Sequence, residues 1–521
     1  MDFSTIDIVV FVAYCLLIIG VGLWVSRDKK GEEKNTEDYF LASKSLPWWA
    51  IGASLIASNI SAEQFIGMSG SGFAIGFGIA SYELMAAITL LVVAKYFLPI
   101  FLKEKIFTMP QFLEHRYDGR VRTSLAVFWI FLYVFVNLAS ILYLGALALE
   151  EIMGVELLYG IIGLAVFSGV YSIYGGLKAV AWTDVVQVVF LIGGGLITTY
   201  LALDAVGESN GFVAGMSTLI EKAPEKFDLI FSENHPAYEY LPGVSVLVGG
   251  MWIANLGYWG CNQYIIQRAL AAKTLEEGQR GIVFAGFLKV VLPLIVVIPG
   301  IAAYALQADI SKPDEAYPWL LNTFVPTGVK GLAFAALIAA VVSSLSSMIN
   351  SISTIFTLDI YKNLIDSKAS EGKLVTIGRI TSFFALVIAV LVGPQLANLD
   401  QAFQFIQKYS GYVSPGVVVI FLFGLFWKKA TANAALTTAL ASIPFSVAVD
   451  AFLFPDMPFI DQMGVVFVTL CTLMVGISLL ESKKESKGFE LTKGLFGTSM
   501  VFNITSIALF AAVSAIYAMW W

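Results

Sequence analysis

Apolar residues fill this chain in long runs separated by short polar segments, with no alternation of period two. A hydrocarbon core about 30 Å thick takes roughly 20 helical residues to cross. Fourteen runs reach that length: 5–26, 47–71, 77–102, 123–149, 157–176, 179–204, 244–270, 280–306, 329–360, 373–396, 400–426, 431–453, 462–481 and 499–520. Without alternation, a transmembrane β-barrel is excluded. The first run has neither a basic n-region nor a small-residue cleavage site and reads as a retained helix. The pattern predicts an all-α membrane protein of about 14 transmembrane helices, a single integral membrane domain over 1–521.

Two runs carry polar interruptions at matching depth. The second, LPWWAIGASLIASNISAEQFIGMSGSG, holds Ser58-Asn59-Ile60-Ser61-Ala62-Glu63-Gln64. That cluster starts about ten residues in, roughly 15 Å, or half the apolar thickness. The seventh, VSVLVGGMWIANLGYWGCNQYIIQ, is interrupted at Asn255-Leu256-Gly257-Tyr258-Trp259-Gly260, at a similar depth. The two runs are five spans apart and antiparallel, which predicts an inverted five-plus-five repeat: a first repeat at 47–204 and a second at 244–426. Outside it lie an extra N-terminal helix at 5–26 and extra C-terminal helices within 431–520. Broken helices in corresponding positions mark a transporter's binding site, because unwound backbone offers carbonyls and helix ends where lipid offers nothing. Close helix packing accounts for the glycines, but not for Glu63, Gln64 and Asn255 at one depth.

Composition changes the picture in two ways. The chain is 58% apolar and 13% charged, against about 45–50% and 25% for a soluble domain, so its few charges are informative. Of 31 Lys and Arg, 24 fall on the side of loops that follow odd-numbered spans, such as 27–34, 103–122, 427–429 and 482–487. The positive-inside rule then puts both termini outside the cytoplasm, with 205–243 as an external cap. A net charge of −7 argues against a nucleic-acid partner. Two histidines, His115 and His235, leave little for a His metal centre or a Ser-His-Asp site. Cys15, Cys261 and Cys471 sit in apolar runs without CxxC spacing and read as packing residues. No GxxxxGK[ST] string is present, so ATP-driven transport is not indicated.

The ninth run contains Ala340-Val341-Val342-Ser343-Ser344-Leu345-Ser346-Ser347. At about 100° per residue its four hydroxyls occupy an arc of about 160°. Such an oxygen-lined face suits Na+, a hard cation that prefers carbonyl and hydroxyl oxygen. Bonds to i−4 carbonyls or to neighbouring helices explain one or two such serines; four on one arc favour a cation.

In NISAEQFIGMSGSG, YSIYGGLKAVAWTDVVQ at 171–187, NQYIIQRALAAK at 262–273, AALIAAVVSSLSSMINS at 335–351 and SPG at 414–416, the chain resembles the sodium/solute symporter family. It is most like that family's bacterial sodium/galactose (sodium/glucose) cotransporters, over nearly its whole length. One departure is Ala434 in KKATANAAL, where the family's pattern has Gly. The resemblance implies Na+ as the coupling ion, held by the backbone carbonyls of Ala57, Ile60 and Ala340 and the hydroxyls of Ser343 and Ser344. Two-sodium members have a second site, matched here by Asp184, Ser343, Ser346 and Ser347, so coupling to two ions is expected. Ser346 stands where the galactose transporter has Ala. The other reading of Asp184 is a carboxylate near the cytoplasmic end of its span, solvated or paired to an Arg.

By the same resemblance, Gln64, Glu83, Asn255, Lys289 and Gln407 hydrogen-bond a hexose. Tyr258 stacks on its ring and closes the cytoplasmic side, while Met68, Tyr82 and Phe403 cover the outer side. A neutral polyol suits such a pocket, which offers amides, one carboxylate, one ammonium and an aromatic face. A structural Glu83–Lys289 ion pair and ordinary packing of Tyr258 are the alternatives. Three nearby positions depart from the galactose transporters: Ala86 replaces a Ser, Leu84 a Trp and Gly257 a Tyr. One lost hydrogen bond costs about 0.5–1.5 kcal/mol, enough to alter selectivity between sugars. The expected function is sodium-coupled symport of a hexose, galactose or glucose, across the bacterial inner membrane by alternating access. Another sugar, a polyol, a sialic acid or an amino acid as solute, and a transporter-like sensor, are the competing readings. No nucleophile, base and oxyanion donors converge, so no enzyme is expected.

Overall fold

The computed structural model describes residues 4–27, 35–398, 402–481 and 487–521. The basic segments at 28–34 and 482–486, and the first two residues of the run expected from 400, lie outside the described residues. Helices follow the apolar runs because, in lipid, each backbone N–H and C=O has to be bonded within its own segment. Among the described residues, eleven helical stretches are long and apolar enough to cross a membrane. Pairing of extended backbone among the described residues is confined to one bridge, Leu46 to Ala272.

The longest helix, Leu157–Val206, runs 50 residues and turns a corner at Gly176, φ 66° and ψ −160°. A Cβ there would collide with the carbonyl of Tyr39, whose hydroxyl donates to the Ile173 carbonyl at 2.7 Å. The corner therefore needs both glycine's backbone freedom and its missing side chain.

The interrupted second run is divided as expected. Trp48–Asn59 ends where Ile60 turns extended, φ −75° and ψ 110°, and the helix resumes as the wide turn Glu63–Met68 and then Ser69–Ala74. The seventh differs from expectation. Gly250–Cys261 is continuous through 255–260, and the chain opens at Asn262, φ −86° and ψ 125°, before Gln263–Leu270. Asn255 stays helical because its side-chain amide bonds back to the Met251 carbonyl at 3.1 Å, and Gly260 is a packing position, its Cα facing the Phe97 ring. The opening falls at Asn262 because Tyr133 serves the freed groups: its hydroxyl bonds the Asn262 side chain and accepts the Gln263 N–H at 3.2 Å. Near the C-terminal side, Ala402–Gly411 and Ser414–Phe426 meet at a two-residue turn, Tyr412 and Val413, whose N–H groups bond the carbonyls three residues back, and Pro415 just after it cannot donate.

Burial sorts the helices. In the stretch Lys330–Ile365 the most apolar window is 94% buried, against 17% for Thr5–Val25 and 22% for Met500–Met519. Only a helix walled by protein can carry a hydroxyl arc at this depth without meeting lipid. Lys330–Ile355 packs on Leu157–Val206 and Trp48–Asn59, and Asp7 pins the N-terminal helix to its start by accepting the N–H groups of Gly328 and Gly331 at 2.9 and 2.7 Å.

Candidate functional site

The first break creates free carbonyls by a specific substitution of partners. In an uninterrupted helix the N–H of Ser61 would serve the Ala57 carbonyl. Here it donates to Gln64 Oε1 at 2.8 Å, and the Ser61 hydroxyl does the same at 3.1 Å. The released oxygens point to the serine helix. The Ser343 hydroxyl bonds the Ala57 carbonyl and, at 3.1 Å, the Ala340 carbonyl; the Ser344 hydroxyl bonds the carbonyls of Ser58 and Ile60 at 2.9 and 3.2 Å. The residues expected to hold Na+ thus form two hydrogen-bonded groups, Ala57 and Ala340 on Ser343 and Ile60 on Ser344, and all five residues are buried. Carbonyl and hydroxyl oxygen without formal charge is a donor set suited to a hard monovalent cation.

A second polar cluster lies beside it. Asp184, on the long helix, is fully buried and accepts from the hydroxyls of Ser54 at 2.6 Å and Ser58 at 3.3 Å. Ser58 also bonds Ser347 at 2.8 Å, and the Ser346 hydroxyl donates to the Ser343 carbonyl at 2.9 Å. Of the expected partners, Ser347 is joined to Asp184 through Ser58, whereas the bond of Ser346 to Ser343 stays within their own helix. Arg268 lies 3.8 Å from Asp184.

On the other side of the same break is a cavity. Its wall includes Asn59, Glu63, Gln64, Tyr82, Glu83, Ala86, Asn255, Gly257, Tyr258, Lys289, Phe403 and Gln407. Gln64, Glu83, Asn255, Tyr258, Lys289 and Gln407 come from five separated stretches of chain, and only folding brings them together. Lys289 donates to both Glu83 and Asn59 and stands 5.0 Å over the Trp259 ring, so its charge is balanced inside the wall. Asn59 in turn donates to the Tyr258 hydroxyl at 2.9 Å, which pairs with the Tyr264 hydroxyl. At another part of the wall Tyr82 and Phe403 meet edge to face at 5.4 Å. Met68 is buried but does not line the cavity.

Several participants escape sequence reasoning. Arg268 reads as one more basic residue at a cytoplasmic helix end, yet it is fully buried; its spacing of one turn from Tyr264 was the available signal. Asn262 and Tyr133 give none, because their pairing spans 129 residues. Ser54 is also unremarkable in sequence, although its hydroxyl is the shortest recorded donor to Asp184, at 2.6 Å.

A polar cavity within an apolar helical body, sharing a broken helix with a cluster of carbonyl and hydroxyl oxygens, defines a cation-coupled membrane transporter. Residues 39–441 match the sodium:solute symporter family, and the chain belongs to it. The chain is 53% identical, over 99% of its length and 98% of the relative's, to the sodium/glucose cotransporter of Vibrio parahaemolyticus. It is 36% identical, over 83% of its length and 68% of the relative's, to sodium/myo-inositol cotransporter 2 of Mus musculus. Its fold matches a substrate-bound, outward-open Na+-coupled sialic acid symporter with a TM-score of 0.79 and 25% identity, covering 92% of this chain and 98% of that one. A nucleobase-cation-symport-1 family transporter shares the fold alone, with a TM-score of 0.55 at 16% identity, covering 91% and 99%. The protein is a sodium-coupled solute symporter, a multi-pass membrane protein and not an enzyme.

Proposed function

We propose that the protein carries a hexose, glucose or galactose, into the bacterial cell across the inner membrane together with Na+. One observation carries this reading: the unwound turn after Asn59 faces two ways. It presents the Ala57 and Ile60 carbonyls to Ser343 and Ser344, and Asn59 and Gln64 to the cavity. A cation that orders this turn sets the position of the groups that meet the sugar. Gln64, Glu83, Asn255, Lys289 and Gln407 hydrogen-bond the hexose, Tyr258 stacks on it and gates one side, and Tyr82 and Phe403 cover the other. Because Lys289 is neutralised by Glu83, the pocket favours a neutral ring over an acid. The sodium/glucose relative points the same way.

Na+ binds the carbonyls of Ala57, Ile60 and Ala340 with Ser343 and Ser344, and a second ion binds Asp184 with Ser343, Ser346 and Ser347. With about −100 mV and a tenfold gradient, each ion supplies about 3.7 kcal/mol, which limits accumulation to roughly 500-fold for one ion and its square for two. Transport is by alternating access through fourteen spans, a count supported by dividing Leu157–Val206 at Gly176 and adding the two broken runs to the eleven candidate stretches. The repeats at 47–204 and 244–426 rock against each other, with both termini outside the cytoplasm.

A second reading, a neutral cyclic polyol such as inositol, is favoured by the myo-inositol relatives and by Ala86 in the wall, where the resemblance to the galactose transporters implies a Ser. Uptake of labelled glucose into proteoliposomes, with and without Na+ and against a panel of sugars, inositol and sialic acid, decides between them. Hexose uptake that needs Na+ and is competed best by hexoses is the expected result. Best competition by inositol selects the second reading, and uptake indifferent to Na+ refutes the assignment.

A further inference from the structure

One buried cation has no part in the cycle described above. Arg268, on Gln263–Leu270, has no exposed surface, and a buried guanidinium persists only where acceptors surround it. Its Nε donates to Ser54 Oγ at 3.2 Å. One Nη donates to Ser347 Oγ and lies 3.8 Å from Asp184 Oδ2; the other donates to the Tyr264 carbonyl. Asp184 Oδ2 also takes the hydroxyls of Ser54 and Ser58, while Oδ1 is buried with no hydrogen-bond partner. The guanidinium therefore draws on the same carboxylate and the same serine that would hold the second Na+.

Two cations brought to one buried carboxylate oppose each other. Two unit charges about 4 Å apart, at the effective dielectric of a protein, repel strongly enough to lower an affinity roughly 10²- to 10³-fold. We propose that the guanidinium of Arg268 is a tethered cation that alternates with Na+ at the Asp184–Ser347 site. This rests on the reading of Asp184, Ser343, Ser346 and Ser347 as a second sodium site. When Na+ enters, Arg268 withdraws and its bond to the Tyr264 carbonyl shifts with it. Tyr264 lies one turn away, and its hydroxyl holds that of Tyr258 in the cavity wall. Exchange of the two cations thus reaches the sugar pocket through a single turn of helix.

Equilibrium binding of radioactive Na+ to the purified protein tests this. The wild type binds one Na+ readily and a second only at concentrations at least tenfold higher. Arg268→Gln strengthens the second binding at least tenfold, and Asp184→Asn abolishes it in either background. An unchanged second affinity in Arg268→Gln, with Asp184→Asn still abolishing it, overturns the tethered cation and leaves the second site standing. A second ion that survives Asp184→Asn, or a single ion in every variant, overturns the site and the tethered cation together. Because Arg268→Gln leaves a buried carboxylate uncompensated, hydrogen exchange of the wild type supplies a readout free of folding defects. As Na+ rises through the range of the second ion, amides at 263–270 lose protection while those around 57–60 gain it. Protection at 263–270 that holds or rises overturns the exchange.

Discussion

At the scale of single residues, what matters is which polar atoms are already spoken for. Gln64 uses its Oε1 to hold the break open, so its NH2 is what remains for the proposed contact to sugar. Gln64→Ala is therefore expected to weaken Na+ binding as well as sugar uptake, whereas Asn255→Ala and Gln407→Ala act on sugar alone. Each is expected to cut Na+-driven uptake at least tenfold with expression intact, and normal uptake in all three refutes the pocket. Glu83 and Lys289 form a buried pair, and removing one partner of such a pair costs about 3–5 kcal/mol while replacing both costs far less. Glu83→Gln and Lys289→Met should each lower the melting temperature, and the double variant should melt above both singles. Additive losses in the double variant would show that the two charges stand independently.

At the scale of elements, the helices are apolar by sequence but placed by their interruptions. Gly176 turns the long helix in a backbone region that costs a residue with a Cβ about 1–3 kcal/mol. Gly176→Ala is expected to destabilise the protein markedly, and Gly163→Ala, on the same helix with open space around it, to leave thermal stability unchanged. Equal melting temperatures for the two variants would contradict this. The half-helix after the first break is capped from the loop beyond it: Lys226 Nζ donates to the carbonyls of Phe73 and Ala74 at 3.0 and 2.8 Å. Partial burial of that ammonium lowers its pKa, opposed by Glu225. A cation at a helix C-terminus contributes about 0.3–1 kcal/mol, so Lys226→Met should loosen Ser69–Ala74, read as faster amide exchange there, and Lys226→Arg should not.

At the scale of the whole molecule, the coupling proposed above joins two sites on one broken helix. Linkage requires that sugar tighten Na+ by the same factor that Na+ tightens sugar. Binding isotherms for each ligand in the presence of the other should agree on that factor, and a one-sided effect contradicts a shared element. By itself, the sequence determined what the bilayer dictates: the apolar lengths, the all-α class, the first break and the arc Ser343–Ser347, since these follow from local composition and helical period. Tertiary structure decided the rest. It placed the second break at Asn262 rather than at 255–260, because a helix opens where a distant partner, Tyr133, can serve the freed groups. It turned Arg268 from a solvated helix end into a buried partner of Asp184, because a charge's surroundings come from other helices and leave no mark in its own neighbours along the chain.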